Sequence, residues 1–200
     1  MKKMIVSLVI AVFIGSMMLM ACGGGDKGPA EVAIKAAEEA VNATNTEAAK
    51  LVPDQVKSLE TALAAVKDKF AKGEYKAAVE EAKTLAGKAK DVLAAAKAKK
   101  EELTKKWTDI SQSLPKMVES LQSRVDILSK AKKLPANLTA EKFSEVKSIL
   151  ASTKDEWAKA QESFKAGNFA DSVSIATSLK EKAAKAMETL GMTVPAASKS

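Results

Sequence analysis

Chemistry in this chain begins and nearly ends with one sulfur. Cys22 carries the only thiol, and there is no histidine anywhere in the 200 residues. That combination excludes a histidine-based triad, a mixed Cys/His zinc site and an intramolecular disulfide. The remaining reactive groups are carboxylates and amines. Acids stand in adjacent pairs at Glu38/Glu39, Glu80/Glu81, Glu101/Glu102 and Asp155/Glu156. Neighbours on a helix point about 100° apart, so such a pair does not converge on one substrate atom, whereas the paired acids of a hydrolase share a cleft. No Gly-rich phosphate loop of the GxxxxGK[ST] type occurs. These residues predict no enzyme, no metal and no cofactor.

The surroundings of Cys22 give the thiol a specific chemistry. Met1-Lys2-Lys3 is a short cationic start, and the run from Met4 to Met20 holds no charge. Cations followed by an apolar stretch and small residues form the layout of a secretory leader. The run falls short of the ~20 residues a membrane span needs and lacks a basic flank after it. Leu19-Met20-Ala21-Cys22 resembles the lipobox of bacterial lipoproteins. There a branched apolar residue fills a recognition pocket, and a small residue admits the peptidase. The resemblance implies cleavage before Cys22, a thioether from its sulfur to diacylglycerol, and acylation of the new amino group. Met20 is a tolerated rather than a preferred filler. Two or more acyl chains hold a protein stably on a bilayer, while one does so only marginally. Gly23-Gly24-Gly25-Asp26-Lys27-Gly28-Pro29 then reads as a flexible tether. In lipoproteins of Gram-negative cells an acidic residue directly after the cysteine favours the inner membrane. Gly23 stands there, so the resemblance implies the outer membrane, with the body on the periplasmic side.

Loss of Lys2 and Lys3 with the leader takes the cations from 32 to 30 against 25 acids, a formal charge of +5. All but one of these cations are lysines; Arg124 is the exception. Nucleic-acid binding draws on arginine and on aromatics for stacking, so no nucleic-acid partner is expected. Lys97, Lys99, Lys100, Lys105 and Lys106 form the densest basic patch, interrupted by Glu101 and Glu102. Glu101–Lys105 and Glu102–Lys106 have the i,i+4 spacing of helix-surface pairs, which favours a solvated face over an anion site.

The elements that carry these residues are helical. Apolar positions recur at spacings of three and four, and no stretch alternates with period two over a useful length. The series are Val52, Val56, Leu59, Leu63, Val66, Phe70; then Ala78, Ala82, Leu85, Ala89, Val92, Ala96; then Phe143, Val146, Leu150, Thr153, Trp157, Ala160, Phe164; and Ala176, Leu179, Ala183, Ala186, Leu190. A period near 3.5 predicts nearly antiparallel, coiled-coil-like packing in an all-α chain of helical hairpins. Helices are expected over 30–43, 53–72, 75–113, 115–132, 139–166 and 169–190. Pro53 suits a first helical turn, Gly73 and Gly167 suit helix ends, and Thr139 and Asn168 suit N-caps. Pro115 marks a kink or a break.

Two segments match at an offset of 94. Phe70-Ala71-Lys72-Gly73-Glu74-Tyr75 parallels Phe164-Lys165-Ala166-Gly167-Asn168-Phe169, and the match runs on through Ala82/Ala176, Leu85/Leu179 and Ala89/Ala183. Each copy reads as helix, glycine turn, aromatic, helix, with the second aromatic packing over the first. With an earlier helix before each hairpin, this helical repeat predicts two tandem three-helix units over 30–113 and 114–191. Leader 1–21, tether 22–29 and frayed tail 192–200 complete the division.

The Phe70–Ala78 turn is similar to that of tetratricopeptide-type hairpins, without their full signature. Over residues 31–98 the Ala-rich first helix, Leu51-Val52-Pro53-Asp54 and Gly73-Glu74-Tyr75 resemble the DUF4398-type helical domain of bacterial envelope lipoproteins. Some of those carry an OmpA-like wall-binding domain; here a second helical unit stands instead. The resemblance implies no established activity and no catalytic residues.

Two functions follow as expectations. One is a membrane-tethered, non-catalytic module that contacts other envelope proteins or the cell wall. The alternative is a periplasmic carrier or chaperone holding an apolar ligand between helices, with Trp107, Trp157 and the phenylalanines as walls; an aromatic at such a position more often packs a core.

Overall fold

Residues 26–195 are described by a computed structural model, and in this range the chain is helical with no strand. The helices are α1 Lys27–Asn42, α2 Ala48–Leu51, α3 Pro53–Ala71, α4 Tyr75–Lys130, α5 Ala140–Lys165 and α6 Phe169–Thr189. The all-α expectation is met. Most apolar series lie on buried faces: all six α4 positions from Ala78 to Ala96 are buried, as are Ala176, Leu179, Ala183, Ala186 and Leu190.

Local chemistry sets most boundaries. Pro53 occupies the first position of α3, and Asp54 lies in its first turn, where the helix dipole favours an acid. The residue before a proline avoids the helical region. Val52 accordingly sits at φ −138° and separates α3 from the short α2, a helix the periodicity did not predict. Thr139 caps α5 by accepting from the Lys142 N–H at 3.3 Å. Asn168 stands at the N-cap of α6, but its side chain makes no capping bond. Its amide oxygen instead accepts from Lys50 Nζ at 3.5 Å, while its backbone carbonyl takes the Ser172 N–H and hydroxyl. α1 starts earlier than expected, so Lys27, Gly28 and Pro29 of the anticipated tether form its first turn.

The main departure lies at Pro115. The helices expected over 75–113 and 115–132 are a single helix of 56 residues, about 84 Å at 1.5 Å per residue. Proline cannot donate to the Ser111 carbonyl, and its ring crowds that carbonyl. Burial on both sides outweighs this. Ile110, Leu114, Met117, Leu121, Val125 and Leu128 keep the three–four spacing through the proline, and all are buried. A break would expose one end of that stripe.

α4 serves both halves of the core. Ile34, Val41, Val56, Leu59, Val66 and Leu85 anchor one cluster, built by α1, α2, α3 and the first half of α4. Leu114, Met117, Leu121, Val146, Leu150 and Leu179 anchor the other, built by the second half of α4 with α5 and α6. Ala37, Ala78, Ala82 and Ala89 are fully buried in the first cluster, where small side chains let helix backbones approach. The boundary expected between residues 113 and 114 falls inside α4, so the two halves share a helix instead of meeting at a linker. At the other end, Met192 and Val194 of the expected frayed tail pack against the second cluster.

Candidate functional site

Leu19, Met20, Ala21 and Cys22 lie outside the described residues. The two glycine turns lie within them, and the same cap closes both. Gly73 N–H donates to the Phe70 carbonyl and Glu74 N–H to that of Lys69; Gly167 and Asn168 repeat this with Phe164 and Ser163, all at 3.0 Å. These are Schellman caps, and they need a left-handed residue. Gly73 and Gly167 supply it with φ of +81° and +82°. The aromatic after each turn meets the aromatic before it edge to face: Phe70–Tyr75 at 5.2 Å and Phe164–Phe169 at 5.0 Å between centroids. A Cβ at Gly167 would touch nothing within 4 Å, so Gly167→Ala tests the backbone alone. It is expected to cost about 1–2 kcal/mol in urea denaturation, with Gly167→Asn costing less; equal stability of wild type and alanine variant would refute the cap.

The second turn belongs to a longer aromatic stack. Trp107 of α4 lies between Trp157, at 5.0 Å and 18°, and Phe164, at 4.4 Å and 9°, both on α5. Phe164 then meets Phe169, and the Lys100 ammonium stands 5.3 Å from the Phe169 ring centre. Lys100 also pairs with Glu47 at 3.3 Å. Trp107, Trp157, Phe164 and Phe169, offered as walls for an apolar ligand, thus meet one another, and both tryptophans pack against the second core cluster; Phe70 and Phe143 lie outside this stack.

The acid pairs are divided by the helix surface. Glu38 pairs with Lys67 at 2.5 Å, Glu81 with Lys69, Glu102 with Lys99 and Lys106, and Glu156 with Lys182 at 3.3 Å. Their neighbours Glu39, Glu80, Glu101 and Asp155 are exposed. Among the described residues no group of three His, Cys, Asp or Glu side chains is placed to hold a metal. No described helix is long and apolar enough to cross a membrane.

The lysine partners shift titration. Hydrogen bonds from Lys106, then Lys99, hold the Glu102 carboxyl below its ordinary value of 4.5. The Glu141 carboxyl is lowered by its own backbone N–H and then by the Thr139 hydroxyl. Lys69 and Lys72 are raised above 10.5, first by hydrogen bonds to Glu81 and Asp68. A lowered acid stabilises the fold above its unfolded value and loses that contribution as pH falls through the folded value. A raised lysine stabilises below its unfolded value and loses it as pH rises through the folded value. Stability is therefore expected to be level between these limits and to decline on both sides. In urea titrations Glu102→Gln should shrink the acid-side decline; an unchanged acid limb would contradict the assignment.

One groove was not legible in the sequence. Ala48 and Leu51 of α2 face Leu93, Ala96, Lys97, Lys100, Glu101, Thr104, Lys105 and Thr108 of α4 across an open space of about 650 Å³, with Glu47 at its edge. α2 had no periodic signal, being four residues long. The available hint was Leu93, an apolar residue one position off the buried α4 series. In comparisons with known proteins, the chain has no significant match to any family model, any curated protein or any solved structure.

Proposed function

We propose that this chain is a lipid-anchored envelope protein whose helical body is a non-catalytic module for contacts with other envelope proteins or the cell wall. The observation that carries the reading is Leu19-Met20-Ala21-Cys22, placed behind Lys2-Lys3 and an uncharged run and ahead of three glycines. Cleavage before Cys22 and acylation of its sulfur and amino group attach the chain to a bilayer. Gly23 directs it to the inner leaflet of the outer membrane. The resemblance of residues 31–98 to the DUF4398-type domain of envelope lipoproteins points the same way.

The body supports a binding role over a catalytic one. Each adjacent acid pair has one carboxylate engaged by lysine and the other turned to solvent. A 56-residue helix shared by two core clusters makes an extended scaffold with long faces for partners.

Cys22→Ala is expected to abolish incorporation of radiolabelled palmitate and to release the protein from the membrane fraction. Continued labelling of the variant ends the lipoprotein reading. Crosslinking in cells should then recover the wild-type chain with enriched envelope partners. Recovery alone would leave the anchor intact and remove the interaction role.

A further inference from the structure

We infer that the groove between α2 and α4 is a binding site for a single-chain amphiphile with an anionic head. This goes beyond the proposed anchoring of the chain and does not depend on it. Three features of the groove carry the inference.

The first is its polarity, which changes along its length. Along α4 the lining passes from Leu93 and Ala96 to Lys97, Lys100, Thr104, Lys105 and Thr108, with Ala48 and Leu51 of α2 on the opposite wall. A ligand with one apolar and one charged end matches that gradient in one orientation. The second is charge. Lys97, Lys100 and Lys105 face the groove against Glu47 and Glu101, which leaves a net positive rim. Glu47 already holds Lys100. Among the described residues, neither Lys97 nor Lys105 joins an ion pair, so both ammonium groups are free to meet a carboxylate or a phosphate.

The third is scale. The described surface exposes three large apolar side chains, Val32 at 50%, Leu93 at 40% and Ile127 at 62%. Of these only Leu93 lies in the groove. A protein partner needs a buried patch near 800 Å² on each side, whereas a space of about 650 Å³ with one exposed leucine falls in the range of small-ligand sites. This scale fits a single lipid-like molecule. A free fatty acid and a lysophospholipid share the required chemistry, an apolar tail on an anionic head.

The groove also adjoins a reporter. Trp107 precedes the groove residue Thr108 on α4. The full-length protein is titrated with cis-parinaric acid, a fluorescent fatty acid, and energy transfer from tryptophan is read. Saturable transfer is expected, with the uncharged methyl ester binding about tenfold more weakly. Leu93→Asp and Lys105→Glu alter exposed side chains and should each weaken binding by about tenfold while leaving far-UV circular dichroism unchanged. Displacement of the probe by laurate but not by lysophosphatidylglycerol assigns a carboxylate head. Displacement by the phosphate-headed lipid assigns the wider anionic class. No saturable transfer, displacement by neither competitor, or equal binding by both variants and wild type overturns the site.

Discussion

Trp107→Ala is expected to destabilise the folded chain by about 3 kcal/mol, the lower end of the range for removing a large aromatic from a packed site. The ring is half-buried, which places the loss there. Its position makes that loss consequential. Trp107 stacks on Trp157 on one side and on Phe164 on the other, and Phe164 leads to Phe169 at the second glycine turn. Stacked and edge-to-face pairs add about 0.5–1.5 kcal/mol beyond the area they bury. Removing the middle ring breaks two contacts and leaves α4 and α5 to meet over a void. Urea denaturation followed by circular dichroism measures the change. A shift within ~0.5 kcal/mol, the size of an ordinary surface substitution, would show that the stack does not hold α4 against α5.

Pro115→Ala should move stability the other way. The backbone at residue 115 is already helical, and the side chain is exposed. Alanine restores the N–H that the Ser111 carbonyl lacks and removes the ring that crowds it. Proline costs about 3 kcal/mol relative to alanine inside a helix. Its stiffening of the unfolded chain returns at most about 1 kcal/mol. The net expectation is a gain of about 2 kcal/mol, read as a higher urea midpoint at unchanged slope. A lower midpoint would mean that the fold depends on a bend which only proline supplies.

Both variants act on α4, the helix that the two halves of the molecule share. α4 joins them covalently, and the aromatic stack packs α4 against α5 within the second half. Lys100 adds a polar clasp, paired with Glu47 in the connection that leads into α2 and set near the Phe169 ring at the start of α6. Glu47 and Lys100 also line the groove between α2 and α4.

Much of the fold could be read from residue order alone. Helix identity follows from apolar spacing, because a buried stripe on a 3.6-residue spiral leaves no other regular pattern. The glycine turns follow from Phe-x-x-Gly-x-aromatic, since a left-handed cap excludes most side chains and flanking rings close over the hairpin. Thr139, a favoured N-cap type, marked the start of α5 for another local reason, its hydroxyl accepting a first-turn N–H. Leu19-Met20-Ala21-Cys22 is legible only as sequence, and its proposed meaning lies in recognition by processing enzymes and not in packing.

Other features were settled by tertiary contact. Proline at 115 reads locally as a stop, and only the simultaneous burial of Ile110, Leu114 and Met117 makes an unbroken helix the lower-energy arrangement. Asn168 is a favoured capping type, yet Lys50, 118 residues away in sequence, holds its side chain instead. The meeting of Trp107 with Trp157 and Phe164 joins positions about fifty residues apart, and no periodicity within one helix encodes which face another helix will cover. Residue order therefore determined most of the helices, the glycine turns and the Leu19-Met20-Ala21-Cys22 motif, which depend on neighbours a few positions away. Which helices share a core, where the halves lock and where a groove opens were decided by tertiary structure, because those depend on surfaces that exist only once the helices have packed.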